Sequence, residues 1–320
     1  MKKIAISMTT IPRRMKFLAE ICFPSIAKSV NVINNDIERD FNARITDFVL
    51  TIDKNYTDEV KESYKEWART VNVPAMNITI QEAENDWCIN KETGGLKFCK
   101  ERSKEFSAFI TVDDDIVFDD PKKFYDLVKY HSKFKDDVIC VETNPVIKTQ
   151  NGVSVVCGIP PKIAALRSYN KFLTNFCLFP IDCLDGTRIE DSDYIIKNEF
   201  YRHDELLVWA ELTNKGVKSI VLPNTFSLAL DHDIICDENG LYVYNSGHWN
   251  EWNAKINELY PNFKNLFEYE IWEYFIEDTN AYAIYLLSQS GVMNQLAEKY
   301  GKILEYNKDI IVSDSYRKLF

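Results

Sequence analysis

The strongest chemical signal in the sequence is a run of three adjacent carboxylates, Asp113, Asp114 and Asp115, directly after the apolar segment 108–112. Adjacent carboxylates repel one another, and a bound divalent cation is the simplest physical reason for keeping three of them together. Oxygen ligands suit Mg²⁺ or Mn²⁺, which complete their coordination with water and substrate phosphates. In an extended segment alternate side chains share a face, so Asp113 and Asp115 are expected to point one way and Asp114 the other. The alternative interpretation is a solvated acidic turn, although such turns rarely begin with a buried strand.

A second acidic group, Asp204-Glu205, stands at the start of a predicted helix over 203–214. The helix dipole and the free N–H groups of the first turn stabilise a carboxylate there in its charged form. The same stabilisation lowers its basicity, so burial or a neighbouring carboxylate must restore it if the group is to act as a general base. A plain N-cap at Asp204 is the alternative.

The elements that must position these residues alternate along the first half of the chain. Strands are predicted at 3–8, 46–52, 76–80 and 108–112, and helices at 15–30, 58–70 and from Thr93-Gly94-Gly95 to about 106. This order predicts an α/β protein with a mostly parallel central sheet and helices on both faces. Because ligands of such sheets bind beyond the carboxyl ends of the strands, the segments after the first, second and fourth strands should meet at one crevice.

The remainder of the chain is less regular. A helix over 122–130, strands at 138–141, 172–179 and 218–222, and the helix over 203–214 are predicted, the last ending at the C-cap signal Lys215-Gly216. Beyond Pro223 the pattern is typical of loops to about 246, and then helical and rich in aromatic residues. We therefore expect a catalytic domain over 1–225 and a loop and helical C-terminal extension over 226–320.

The charge and composition of the chain exclude some classes of binding partner. The formal net charge is −11, which argues against nucleic acid as a ligand. The local basic group Arg13, Arg14 and Lys16 suits a diphosphate better than a lipid surface, and peripheral membrane association is left open. The sequence predicts no secretory signal and no membrane span, and its eight cysteines include no Cys-x-x-Cys pair. These features favour a cytoplasmic location with reduced, buried cysteines.

The apolar strand running into Asp113-x-Asp115 resembles the D-x-D motif of GT-A glycosyltransferases, particularly family-2-like members, and the resemblance extends over about residues 2–223. In that family the opening strand and loop wrap the nucleotide, an acid after the second strand contacts the base, and a glycine-led helix precedes the D-x-D strand. The resemblance assigns nucleotide-sugar binding to Thr9, Thr10, Arg13, Asp53, Lys97, Asp113 and Asp114.

The same resemblance implies a reaction. A Mn²⁺ or Mg²⁺ ion at Asp113 and Asp115 would bind a nucleoside-diphosphate sugar, with a UDP-sugar the expected donor. His248 and His232 are candidate further ligands from the C-terminal loops, although an isolated histidine is more often structural. Asp204, or Glu205 in second place, is the expected base for a glycan or other hydroxyl acceptor, as in polysaccharide biosynthesis.

Two other functions remain open. Asp113 to Val117 also fits the D-x-D-x-[TV] motif of haloacid-dehalogenase-like phosphatases. That motif normally lies on the first core strand, whereas about a hundred residues precede it here. A non-catalytic GT-A-like sugar-binding protein is the second alternative, against which the complete set of aspartates argues.

Overall fold

The computed structural model describes a sheet of strands with helices on both faces. The described residues are 1–71, 73–74, 76–85, 87–102, 104–118, 121–141, 144–149, 152–155, 166–168, 175–200, 204–222, 227–229, 235–236, 242–243, 254–265 and 269–271. The strands are β1 Lys2–Thr9, β2 Ala43–Asp53, β3 Asn77–Ala83, β4 Phe106–Val112, β5 Ile116–Phe118, β6 Val138–Val141, β7 Asn144–Thr149, β8 Gly152–Val155, β9 Leu166–Ser168, β10 Phe176–Pro180, β11 Ser219–Leu222, β12 Ser227–Ala229, β13 Ile235–Cys236, β14 Tyr242–Val243 and β15 Tyr269–Ile271. The helices are α1 Met15–Phe17, α2 Phe23–Phe41, α3 Asp58–Thr70, α4 Asn90–Lys100, α5 Lys122–Lys133, α6 Ile181–Leu184, α7 Ser192–Lys197 and α8 Asp204–Asn214.

The central sheet has the strand order β15-β9-β11-β6-β10-β4-β1-β2-β3. Within the described residues, seven of its strands run in one direction, and β9 and β10 run against them. The predicted α/β class with a mostly parallel, Rossmann-like sheet is therefore confirmed. We call the edge at which β1, β2 and β4 end the carboxyl edge.

The two faces of the sheet carry separate hydrophobic layers. Ile4, Ile6 and Met8 of β1 pack with α2, α3 and α5, whereas Ala5 packs on the other side with α4 and α8. This alternation follows from the two-residue period of a strand. Helices α4 and α8, which carry predicted site residues, thus lie on the same face.

Several elements differ from their predicted extents. The first helical region continues to Phe41 and contains a π-helical turn, Leu18–Cys22, in which Phe23 N–H donates to the Leu18 carbonyl. Pro24, in the next turn, lacks an N–H donor, and π turns are a common way to absorb such a missing bond. Helix α4 begins at Asn90 instead of Thr93, and β10 is shorter than predicted and antiparallel to both neighbours.

Two strands from beyond residue 225 join sheets formed by earlier parts of the chain. β15 pairs with β9 at the end of the central sheet, and β12 pairs with β5 and β7 in a second sheet. Residues 254–259 are helical, and most of the aromatic C-terminal segment lies outside the described residues. The division at 225 remains a prediction. Among the described helices, none is long and apolar enough to cross a bilayer.

Candidate functional site at the carboxyl edge

Strand pairing brings the predicted site segments together. β1 lies between β2 and β4, with Thr9 opposite Thr51 and Ser7 opposite Thr111. The loops after these three parallel strands therefore leave the sheet side by side. Thr9 donates its hydroxyl to the Thr51 carbonyl at 3.1 Å, which ties the ends of β1 and β2 together.

Asp114 points into the protein and is held by two partners from the loop after β1. It is 3% exposed. Thr10 Oγ1 donates to its Oδ2 at 2.7 Å, and Arg14 donates from a terminal guanidinium nitrogen to its Oδ1 at 2.5 Å. Since both oxygens accept hydrogen bonds from the protein, Asp114 joins two loops, and its predicted contact with the nucleotide stays a prediction.

Asp113 is a third exposed and forms an ion pair with a lysine that sequence reasoning did not select. Lys91 Nζ lies 2.6 Å from Asp113 Oδ1, and the lysine side chain is 5% exposed. Lys91 also accepts a bond on its backbone carbonyl from Ser7 Oγ at 2.6 Å. The backbone N–H of Asp113 donates to the Asn175 carbonyl at 3.0 Å, so the segment entering β10 also holds this turn.

Burial alternates along the three aspartates as expected, because Asp113 and Asp115 are half-buried and Asp114 is buried. Within the described part of the chain, no group of three or more His, Cys, Asp or Glu side chains is close enough to hold a metal. Two partly exposed carboxylates fit a Mg²⁺ or Mn²⁺ site that is completed by water and substrate phosphates. Two carboxylates are too few for a site in which protein side chains supply every metal ligand.

The carboxylates also perturb the buried groups beneath them. Burial raises the pKa of the Cys22 thiol well above its usual value, and the negative charge of Asp114 raises it further. Burial, followed by the same charge, raises the pKa of Tyr64. Cys22 and Tyr64 are therefore held in their neutral thiol and phenol forms beneath the aspartates.

Two glycines let α4 approach the sheet closely enough to bring Lys91 to the carboxyl edge. A Cβ on Gly94 would lie 2.3 Å from Thr51 Oγ1, and one on Gly95 would lie 2.5 Å from the Phe109 ring. These glycines are thus packing residues inside α4 and not its first residues. Lys97 is exposed and lies six residues after Lys91, about 9 Å farther along the helix axis. The structure therefore places Lys91, and not Lys97, beside the aspartates.

The remaining residues predicted from the opening strands lie on the same side of the sheet. Asp53 ends β2 and accepts two bonds on Oδ1 from Asn55, from its N at 2.7 Å and its Nδ2 at 2.9 Å. These are bonds of a turn, and both of them use Oδ1. Arg13 is exposed, whereas its neighbour Arg14 reaches Asp114.

The chain topology shows on which side of the sheet Asp204 and Glu205 lie. α8 begins at Asp204 and leads into β11, which runs parallel to β6. A helix that precedes a parallel strand starts on the carboxyl side of the sheet, so Asp204 and Glu205 lie on that side. Strand β11 is three places from β4, on the order of 14 Å across the sheet. His232 and His248 lie outside the described residues.

Sequence reasoning missed Lys91 as a site residue, and it named Arg14 only as a member of the basic group after the first strand. Arg14 differs from the predicted Arg13 by one position, and a basic pair in a loop gives no signal to separate its members. Lys91 lies two residues before the predicted helix start. The sequence signal for Lys91 was Gly94-Gly95. If these glycines are interpreted as residues that pack the helix against the sheet, the helix begins earlier, and Lys91 lies in its first turn near the carboxyl edge.

Comparison with known proteins gives no family. No protein-family model matches the chain, and no curated protein matches its sequence. Among solved structures it is similar to 4-diphosphocytidyl-2C-methyl-D-erythritol synthase from Anaerococcus prevotii, at 12% identity and a TM-score of 0.41, over 80% of this chain and 96% of that one. It is also similar to CMP:2-keto-3-deoxy-manno-octonic acid synthetase in complex with CTP, at 7% identity and a TM-score of 0.39, over 81% of this chain and all 100% of that one. At these values the likeness carries no argument about activity.

Proposed function

We propose that the chain is a divalent-metal-dependent glycosyltransferase of the GT-A type that uses a nucleoside-diphosphate sugar. The observation that carries the proposal is the arrangement of charge at the carboxyl edge. Asp114 is buried and clamped by Thr10 and Arg14, whereas Asp113 and Asp115 are partly exposed and Asp113 pairs with the ammonium of Lys91. Partly exposed carboxylates in a turn that also engages Lys91 and Arg14 suit a divalent cation and a diphosphate better than they suit an apolar ligand.

In this proposal Asp113 and Asp115 would hold Mn²⁺ or Mg²⁺ at the carboxyl edge, where the donor's diphosphate would also bind. When bound, the cation neutralises the charge that develops on the departing diphosphate. The loop from Thr9 to Arg14 wraps the nucleotide, and Asp53 accepts a hydrogen bond from the base. A UDP-sugar is the first donor to test.

Asp204 is proposed to accept the proton of the acceptor hydroxyl, with Glu205 the second candidate. Its position on the carboxyl side of the sheet supports this role, since the acceptor must lie between it and the donor sugar.

The phosphatase alternative is less well supported. The aspartates follow β4, the fourth strand of the chain, and β4 lies beside β1 in the interior of the sheet. A motif of the phosphatase type is expected on the first strand. A non-catalytic sugar-binding protein differs from the proposal only in turnover, so an activity measurement separates the two.

The test is hydrolysis and transfer assayed against a panel of sugar nucleotides, and against a phosphomonoester, with Mn²⁺ or with EDTA. Asp115→Asn removes one charge and keeps the shape of the side chain. It should abolish turnover and weaken binding of the sugar nucleotide in Mn²⁺, and Asp193→Asn on the exposed side of α7 is the matched control. Full activity of Asp115→Asn, or of the wild-type protein in EDTA, would contradict the proposal. Hydrolysis of the phosphomonoester alone would favour a phosphatase.

A further inference from the structure

We propose that Lys91 is an exchangeable counter-cation: it neutralises Asp113 in the ligand-free protein, yields that carboxylate to the divalent cation, and then pairs with the donor's diphosphate. The inference deepens the proposed function and rests on it, because it needs a cation at Asp113. It concerns a residue of α4 that lies apart from the D-x-D segment and from the loop after β1.

The first argument is the cost of burying a lysine. Lys91 is 4% exposed, and a buried ammonium is tolerated only when it is paired. Its Nζ lies 2.6 Å from Asp113 Oδ1 and 4.0 Å from Glu92 Oε1, and Glu92 is 0% exposed. The lysine thus belongs to a buried charge group that includes Glu92 and reaches the site at Asp113.

The second argument is that only the end of this side chain needs to move. The Lys91 backbone is fixed by the bond from Ser7 Oγ to its carbonyl, and the following turn is pressed against the sheet at Gly94 and Gly95. A lysine carries its charge on a flexible four-carbon stem. The ammonium can therefore change partners while α4 stays in place.

The third argument is electrostatic. An ammonium and a divalent cation on the same carboxylate would stand a few ångströms apart and repel each other strongly in a partly buried site. The divalent ion carries twice the charge, so it displaces the ammonium from Asp113 Oδ1. A diphosphate beside the metal is the anion that the displaced ammonium then meets, and this makes the binding of metal and diphosphate mutually favourable.

The experiment is a Mn²⁺ titration followed by electron paramagnetic resonance, without nucleotide and then with UDP, on the wild-type protein, Lys91→Met and Lys65→Met. Removing the competing ammonium should tighten binding of Mn²⁺ alone by about tenfold in Lys91→Met. It should weaken UDP binding at saturating Mn²⁺ by a similar factor, about tenfold. Lys65→Met removes an exposed lysine of α3 and should change neither value.

A second variant tests whether the result for Lys91→Met comes from misfolding, or from the Glu92 carboxylate binding Mn²⁺ itself. Lys91→Met leaves the Glu92 carboxylate without the nearby ammonium, so Lys91→Met/Glu92→Gln removes both charges at once. The double variant should bind Mn²⁺ alone more tightly than Glu92→Gln does, again by about tenfold. Circular dichroism establishes that each variant is folded before it is titrated.

The outcomes separate the two proposals. If wild-type protein binds Mn²⁺ and neither Lys91 variant binds it more tightly than its parent, the exchange is refuted and the glycosyltransferase proposal stands. If tighter Mn²⁺ binding comes without weaker UDP binding, the ammonium does not reach the diphosphate and the proposal is overturned at that step. If the wild-type protein fails to bind Mn²⁺ even with a nucleotide panel, both proposals fall.

Discussion

The buried aspartate of the triple carboxylate offers the sharpest test of how the site is built. Asp114→Asn keeps the size of the side chain and removes its charge. In the wild-type protein both oxygens accept bonds, from Thr10 and Arg14, and Asp114 is only 3% exposed. The amide retains one acceptor oxygen, so one of these two partners loses its acceptor and Arg14 loses its counter-charge.

The size of the effect follows from that loss. A hydrogen bond to a charged group contributes about 1.5–3 kcal/mol, and removing one partner of a fully buried ion pair costs about 3–5 kcal/mol. The Arg14 side chain is 20% exposed, so water recovers part of the loss. We expect the free energy of unfolding to fall by about 2–3 kcal/mol.

Urea unfolding, followed by intrinsic fluorescence, measures this value at an unchanged denaturant slope. Asp115→Asn is the control, because it leaves both bonds to Asp114 in place, and it should lower the free energy of unfolding by less than Asp114→Asn does. In Mn²⁺ binding the order should reverse, with Asp115→Asn the more damaging change. Equal loss of stability in the two variants, or none in Asp114→Asn, would refute the division of the three aspartates into one clamp and two ligands.

Three further predictions test other parts of the site. Asp204→Asn should lower kcat by roughly 10²–10⁴-fold with little change in the donor KM, because a general base acts mainly in the transition state; if Glu205→Gln shows this behaviour instead, the role belongs to the next residue. Asp53→Ala should weaken UDP binding, measured by calorimetry without metal, by about 1.5–3 kcal/mol, and an unchanged affinity would leave Asp53 as a turn residue only. Gly95→Ala places a methyl group 2.5 Å from the Phe109 ring. It should lower the free energy of unfolding by about 1–3 kcal/mol, measured in a urea titration. An unchanged free energy of unfolding would mean that α4 can move away from the sheet at no cost.

The layout of the sheet could be predicted because the decisive patterns are local. The apolar runs of β1, β4 and β6 are continuous, as expected of strands buried on both faces, and α3 has a clear amphipathic period with Thr57 as its cap. The direction of β10 could not be predicted, since an apolar run has the same composition in a parallel and an antiparallel strand. Its pairing is a tertiary property.

The site was predictable to the level of segments and not of single side chains. The loop after β1, the turn after β4 and the glycine-led part of α4 were all expected at one edge. Which arginine of the Arg13-Arg14 pair turns inward depends on the helical geometry that begins at Pro12, which no periodicity reveals. Lys91 was missed because Gly94-Gly95 has two meanings in sequence, a helix start and a close helix–sheet contact, and only the packed structure separates them.

The antiparallel strand β10 has a consequence for the order in which the protein folds. β4, which carries the aspartates, pairs on one side with β1, about a hundred residues earlier, and on the other with β10, about seventy residues later. β6 is made before β10 but cannot pair with β4 without it, because β10 lies between them. A nascent chain that ends before Phe176 therefore carries an apolar strand, Phe106–Val112, with one open edge, the kind of surface that invites aggregation. The carboxylate turn acquires its bond to Asn175 only when that edge closes, so the site matures among the last parts of the sheet.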